Sequence, residues 1–264
     1  MSILESIVLG IVQGLTEFLP VSSSGHIEIS QALLGTESLK KQEGLLSVVL
    51  HAATALATIL VFRKDIATIL KGLFSKDDKE QKQFSLFVII SMIPAAAVGV
   101  FFDDLLEQLF EGQLVLVCCM LLLTGVLLFF ADRAKIESTE KLTWGKALII
   151  GIAQAVAILP GISRSGATIA TSILLKVDKA QAARFSFLMV VPLILGKMAK
   201  DILDGKLQLS EDLAIPFAAG FVAALLAGVV ACQWMISIVK KSKLSYFAYY
   251  CWLVGSVGLI YTLV

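Results

Sequence analysis

The chain contains 264 residues, of which 58% are hydrophobic and 16% are charged, and its formal net charge is +1. Soluble domains carry about a quarter charged residues, so this composition argues against a soluble protein and predicts an integral membrane protein. The small net charge gives no indication of nucleic-acid binding, and the four cysteines lie in apolar runs without metal-ligand spacing.

The first predicted elements are two short apolar segments, about 2–19 and 24–34, separated by a polar cluster at Pro20–Gly25. Short apolar pieces, of about 10–14 residues, are more often re-entrant than membrane-spanning. Non-helical backbone at membrane depth persists only where protein or a water-filled cavity surrounds it. The pair is therefore predicted to form a re-entrant hairpin whose break lines a cavity.

Six further apolar runs have the length, about 17–25 residues, that crosses a bilayer. Three of them precede, and three follow, a second pair of short segments, 146–160 and 166–176, which flank a break at Pro160–Gly166. In chain order the six runs are 45–62, 84–102, 113–131, 185–200, 214–239 and 245–264.

This order predicts an all-α polytopic membrane protein that forms one membrane domain from two repeats, about 1–131 and about 146–264. Each repeat consists of a re-entrant hairpin and three transmembrane helices. Three spans are an odd number, so the second repeat has inverted topology, which places binding sites between broken helices near the midplane. With 63–83 taken as a solvated cytoplasmic connection, 16 of the 22 Lys and Arg residues fall on the cytoplasmic side and five outside, as the positive-inside rule requires.

One polar sequence occurs in both hairpins. GIVQGLTEFLPVSSSGH (Gly10–His26) and GIAQAVAILPGISRSGA (Gly151–Ala167) align without a gap and share several identical positions. The first copy contains Glu17 and the second contains Arg164, and an ionisable residue at membrane depth indicates a functional site. On a helix, Gln13 would share one face with Glu17. The two copies therefore predict a single site, to which one half supplies an acid and the other a cation.

Both breaks end in serines and a glycine that precede a short helix, predicted to start near His26 in one copy and near Thr168 in the other. Helix N-termini attract anions, and the planar guanidinium of Arg164 grips phosphate oxygens in pairs. Phosphate or pyrophosphate is therefore the predicted ligand. The tip residues predicted to bind it are Ser22, Ser24, Gly25, Ser163, Ser165 and Gly166.

Hydrolysis requires charge neutralisation and a positioned nucleophile or water. The serines of the first tip and His26 are close enough in sequence for a hydroxyl to meet a base. Glu17 and Gln13 could hold a hard divalent cation through oxygen ligands, or Glu17 could orient the histidine, and the sequence leaves both roles open. His51 lies in an apolar run, where a lone histidine is more often a packed residue, so it is kept only as a possible site residue.

The string EFLPVSSSGH (Glu17–His26), preceded by Gln13, and the string PGISRSGATI (Pro160–Ile169) closely resemble the motifs of the undecaprenyl-pyrophosphate phosphatase family of the bacitracin-resistance type. The resemblance covers nearly the whole chain. It implies metal-dependent removal of one phosphate from undecaprenyl diphosphate, with Mg²⁺ or Ca²⁺ as the cation. The reaction would occur at the outer face of the bacterial cytoplasmic membrane and recycle the lipid carrier for cell-wall synthesis.

The resemblance also implies roles for individual residues. The implied catalytic set is Glu17, Ser23, His26 and Arg164. Ser23 is the preferred nucleophile, with His26 as base or leaving-group acid, although the family pattern leaves open which of the two attacks phosphorus. The residues implied to line the phosphate pocket are Ser163, Ser165 and Thr168.

A secondary transporter or lipid flippase is the alternative, because inverted repeats with broken helices are common in transporters and a fold does not fix a function. The expected partners in either case are a polyprenyl diphosphate and membrane lipids, without nucleic acid. Release of free phosphate separates the two hypotheses.

Overall fold

The computed structural model describes residues 1–34, 40–102, 105–106, 109, 113–134, 139–203, 211–240 and 243–263. Within these residues the chain is helical and contains no β-sheet, which confirms the predicted all-α class. The helices are α1 (Ile3–Phe18), α2 (Ser23–Leu34), α3 (Lys40–Val61), α4 (Arg63–Phe74), α5 (Lys79–Phe101), α6 (Leu114–Arg133), α7 (Trp144–Val156), α8 (Arg164–Leu174), α9 (Lys179–Leu203), α10 (Glu211–Lys240) and α11 (Ser245–Leu263).

Four helices of the described chain, α5, α6, α9 and α10, are long and apolar enough to cross a membrane. Helices α3 and α4 meet the same criterion together but bend by 77° at their junction, so they make a fifth span at most. The structure therefore supports four or five of the six predicted spans. The last predicted run forms α11, a helix of 19 residues that contains all four tyrosines, and its crossing of the membrane stays a prediction.

The segment 63–83, predicted to be a solvated connection, is mostly helical, and most of its residues are exposed. Helix α4 occupies its first part, and α5 begins early because the Asp78 side chain accepts the Gln81 N–H at 3.1 Å and caps the helix. Asp65 of α4 pairs with Arg184 of α9 at 2.6 Å. Asp78 and Asp65 therefore serve as a helix cap and as an ion-pair partner.

Both predicted hairpins are present, as α1–α2 and α7–α8, with breaks at 19–22 (the first tip) and 157–163 (the second tip). Left-handed backbone turns the chain in each break, with φ of +69° at Ser22 and +92° at Gly161. The helices after the breaks begin about one turn earlier than predicted. The reason is that Ser22 and Ser163 themselves accept the first free N–H groups, so the serine clusters form the first turn of α2 and α8.

The first helix of each hairpin packs along a long helix of the other half of the chain. Helix α1 lies against α10, where a Cβ on Gly14 would stand 2.6 Å from Ala224 O, and α7 lies against α5, where a Cβ on Gly151 would stand 2.5 Å from Ser91 O. Helices α6 and α11 pack against each other. The glycines of the repeated sequence therefore allow close backbone approach.

The second hairpin begins and ends at the same place. Glu140, just before α7, donates its N–H to Lys176 O at 2.8 Å, and its carboxylate accepts the Lys146 ammonium at 2.8 Å. Lys176 Nζ lies 3.8 Å from the same carboxylate. The neighbouring Lys146 and Lys176 ammonium groups lower the pKa of Glu140. The chain thus enters through α7 and returns through α8 to one anchored point.

Candidate active site

The two tips touch each other. Ser165 Oγ donates to Leu19 O at 3.2 Å, so the start of α8 binds the backbone of the first tip. Each hairpin also has a glycine that lies close to the other hairpin. A Cβ on Gly166 would lie 3.2 Å from Pro20 Cβ, and a Cβ on Gly25 would lie 3.3 Å from Gly161 Cα. Residues of the two hairpins, which are far apart in the sequence, therefore surround one site.

Glu17 lies at the centre of this site between the two hairpins. Its side chain is 6% exposed, and its Oε1 pairs with Arg164 Nη2. Its Oε2 accepts the Ser23 hydroxyl at 2.7 Å and the Gln13 amide N–H at 3.1 Å. The acid and the guanidinium predicted from separate repeats are in direct contact. The ion pair compensates a charge that burial alone would make very unfavourable.

His51 also reaches Glu17, although the sequence favours a purely structural role for it. His51 Nε2 lies 3.8 Å from Glu17 Oε2. The Nδ1 atom donates to Ser47 O at 2.8 Å, which leaves Nε2 directed at the carboxylate. The histidine beside Glu17 is therefore His51 of α3. An apolar run gives no signal of such a contact, because it depends on how α3 packs against α1.

His26 faces a different partner. Its Nδ1 lies 2.8 Å from Ser22 O, and its Nε2 lies 2.8 Å from the Tyr250 hydroxyl of α11. The hydroxyl of Ser23, which the sequence pairs with His26, is bonded to Glu17 instead. The structure thus brings Ser23 to an acid and His26 to a tyrosine that sequence reasoning missed.

The other hydroxyls of the two tips mainly organise the backbone. Ser22 Oγ accepts the Gly25 N–H at 3.2 Å, and Ser163 Oγ accepts the Gly166 N–H at 3.1 Å, so these two N–H groups are already bonded. The second serines complete matching pairs, at 3.3 Å from Ser22 to Ser24 and at 3.3 Å from Ser163 to Ser165. The tips therefore share one capping pattern.

Two buried threonines support the second tip from behind. Thr124 of α6 accepts the Ser163 N–H at 3.1 Å and was not singled out from the sequence. Thr168, implied by the family resemblance to line a phosphate pocket, is fully buried. Its hydroxyl donates to Arg164 O at 2.9 Å and lies 2.5 Å from Ser186 Oγ. Thr168 therefore holds the turn that carries Arg164.

Two buried polar atoms on the side chains that bind Glu17 have no hydrogen-bond partner. They are Nη1 of Arg164 and Oε1 of Gln13. Buried polar groups are almost always paired, so unpaired ones at a functional site point to a missing ligand. A guanidinium edge suits phosphate oxygens, and one amide oxygen can accept a donor or a cation.

The predicted metal ligands do not fit a resident divalent cation in this arrangement. Both oxygens of Glu17 already accept bonds, and the Arg164 guanidinium stands beside them. Gln13 offers a single free oxygen. Among the described residues, no group of three or more His, Cys, Asp or Glu residues is arranged to hold a metal. Divalent Mg²⁺ and Ca²⁺ need about six or more oxygen ligands.

Comparison with known proteins identifies the family. The sequence profile of Bacitracin resistance protein BacA matches residues 6–257. The chain is 58% identical to a protein of Christiangramia forsetii over 99% of this chain and 98% of the relative, and 49% identical to one of Parabacteroides distasonis over 100% and 99%. A protein of Methanobrevibacter smithii is 40% identical over 97% and 96%. All three relatives are named undecaprenyl-diphosphatase. The chain therefore belongs to the bacitracin resistance protein BacA family.

Proposed function

We propose that the chain hydrolyses undecaprenyl diphosphate to the monophosphate and inorganic phosphate, recycling the lipid carrier for cell-wall synthesis. The family membership and the full-length relatives named for this activity support it, and they do not favour a transporter or flippase. The structural observation that carries the proposal is the buried contact of Glu17 with Arg164, which leaves one guanidinium edge unpaired. Buried polar groups that only hold helices together are normally paired.

Arg164 binds the diphosphate in this proposal. Its Nη1 is buried without a hydrogen-bond partner, and this is the donor that pairs with the phosphate. A phosphate group carries more charge than a carboxylate and competes with Glu17 for the guanidinium. The binding of substrate thereby loosens the Glu17–Arg164 pair. The Glu17 carboxylate is then free to act on the hydroxyl that it already holds.

Ser23 is the nucleophile in this proposal. Its hydroxyl donates to Glu17 Oε2 at 2.7 Å, so the proton passes to the carboxylate as the Ser23 oxygen bonds to the terminal phosphorus. The bond from that phosphorus to the bridging oxygen breaks, and the charged His26 ring supplies from Nε2 the proton that the leaving monophosphate requires. Water then attacks the phosphoserine and gives a proton to the now neutral Nε2, while the Ser23 oxygen leaves and takes back the proton held on Glu17. His51 Nε2, 3.8 Å from Glu17 Oε2, faces the carboxylate that takes this proton.

The divalent cation, Mg²⁺ or Ca²⁺, arrives with the substrate in this proposal. The oxygens of the diphosphate provide ligands that the Glu17 and Gln13 arrangement lacks. When bound, such an ion supplies neutralisation of phosphate charge. Every residue role given above is independent of where the ion sits.

The membrane arrangement is the inverted repeat predicted from the sequence, within one domain. Three features support it: the matched capping patterns of the tips, the packing of α1 on α10 and of α7 on α5, and the packing of α6 on α11. The bias of basic residues supports the orientation of the spans, and the family resemblance implies a bacterial cytoplasmic membrane with the site facing outward. The isoprenyl tail leaves sideways between helices into lipid.

Phosphate release by the purified protein in detergent tests the function. The protein is incubated with undecaprenyl diphosphate and Mg²⁺, and free phosphate is measured. We expect turnover by the wild type and none by Ser23→Ala, with equal amounts of folded protein. A wild-type protein that binds the lipid but releases no phosphate would favour the transporter hypothesis instead.

A further inference from the structure

The imidazole of His26 is fixed at both nitrogens, and only one of the two partners belongs to its own hairpin. We infer that Tyr250 is a positioning residue for His26: its hydroxyl holds the ring at Nε2 in the free protein and gives this place up to the substrate oxygen. The inference rests on the proposed function for its kinetic consequence. The contact itself is a property of the fold and can be tested without activity.

The first partner determines the tautomer of the ring. Ser22 O is an acceptor only, so His26 Nδ1, at 2.8 Å, carries a proton and donates it. The same carbonyl also accepts the His26 backbone N–H at 3.2 Å, and the left-handed conformation of Ser22 directs it there. Nε2 is consequently the nitrogen that exchanges protons with a ligand.

The second partner determines where Nε2 points. The Tyr250 hydroxyl lies 2.8 Å from Nε2, and the planes of the two rings are 10° apart. A hydroxyl can donate to the neutral ring and accept from the charged one, so this contact survives both protonation states. Tyr250 is 42% exposed, so the partner of Nε2 is not enclosed in the protein core.

The helix that carries Tyr250 is itself attached to the first tip. The adjacent Cys251 is buried, and its thiol donates to Pro20 O at 3.7 Å. At the start of the same helix, Asp132 of α6 accepts the N–H groups of Leu244 and Ser245, each at 3.2 Å. Helix α11 therefore cannot shift along α6 without losing these bonds, and the Tyr250 hydroxyl is held at a fixed position.

Kinetics test the consequence, with a neighbouring tyrosine as the control. Tyr250→Phe removes only the hydroxyl, and we expect kcat to fall about fivefold to tenfold, the usual effect of one hydrogen bond, while KM stays unchanged. Tyr249 lies on the same helix, is 52% exposed and packs against Trp252, and Tyr249→Phe should keep the wild-type kcat. A KM effect in place of the kcat effect, or equal kcat in both variants, would overturn the inference.

A spectrum tests the contact independently of turnover. The chain contains only two histidines, so ring ¹⁵N labelling of histidine in detergent gives signals from His26 and His51 alone. We expect Tyr250→Phe to move the Nε2 resonance of His26 and to leave His51 unchanged, whereas Tyr249→Phe moves neither. If Tyr250→Phe leaves the His26 resonances in place, Tyr250 does not position this ring. Absence of phosphate release by the wild type would instead reject the proposed function, with the spectrum unaffected.

Discussion

Replacement of Arg164 by alanine affects activity and stability for reasons that can be separated. Arg164 is the cation paired with Glu17, whose side chain is only 6% exposed. Loss of one partner of a buried pair leaves an uncompensated charge and costs about 3–5 kcal/mol. Because the Arg164 side chain is itself 18% exposed, some water reaches the pair, and we expect a cost near the lower end, about 3 kcal/mol.

The effect on activity has a different origin. An arginine that stabilises a transferring phosphoryl group contributes about 10³–10⁵ in kcat. Arg164→Ala should therefore release phosphate at least about a thousandfold more slowly, even where the protein is folded. A second substitution, Glu17→Gln, removes the buried charge. The double variant should regain much of the lost thermal stability in detergent and remain inactive.

Arg184→Ala is the matched control. It removes another arginine that forms an ion pair, but the Arg184 and Asp65 side chains are 32% and 37% exposed. Such a pair contributes about 0–1 kcal/mol, and it lies outside the tips, so both stability and phosphate release should stay close to wild type. Turnover by Arg164→Ala equal to that of Arg184→Ala, or renewed turnover in the double variant, would refute this reasoning.

Three further predictions concern packing, the second tip and the cation. Gly14→Ala should lower the free energy of unfolding by about 1–3 kcal/mol, because the new Cβ would stand 2.6 Å from Ala224 O. Gly99→Ala is the control, since Gly99 has open space around it and its substitution should leave the free energy of unfolding unchanged. Thermal unfolding in detergent measures both effects. Thr124→Val leaves the buried Ser163 N–H without its acceptor and should cost about 1–3 kcal/mol, while an unchanged melting temperature would contradict the bond. Calorimetry should detect no stoichiometric Mg²⁺ or Ca²⁺ binding without diphosphate, although a chelator stops turnover; tight binding to the lipid-free protein would show a resident site.

The sequence predicts those features that a short stretch of residues reveals by itself. Proline, glycine and serine interrupt apolar runs at both tips, and a carboxylate and a guanidinium in such breaks stand out against their surroundings. The hairpins and the contact of Glu17 with Arg164 follow from that reasoning. The helix starts were placed too late, because serines that precede a helix look like a loop until their capping bonds are known.

Other features depend on how distant helices pack, and no local signal reports them. Tyr250 is one of several tyrosines in an apolar helix, and its contact with His26 joins positions 224 residues apart. Thr124 is a single hydroxyl in a leucine-rich span and becomes recognisable only when the second tip lies beside it. The contact of His51 with Glu17 likewise depends on how two helices pack, so the sequence alone leaves the role of His51 open. Helix α4 was missed because charges at its ends obscured its apolar face.

The proposed function requires both tips to bind one diphosphate through the paired acid and guanidinium. An experimental structure of the protein with a non-hydrolysable prenyl methylenediphosphonate tests this. Phosphonate oxygens are expected within about 2.7–3.0 Å of Arg164 Nη1, with Ser23 Oγ facing the terminal phosphorus and the Glu17–Arg164 pair loosened. A diphosphonate bound away from the tips, with that pair intact, would contradict it.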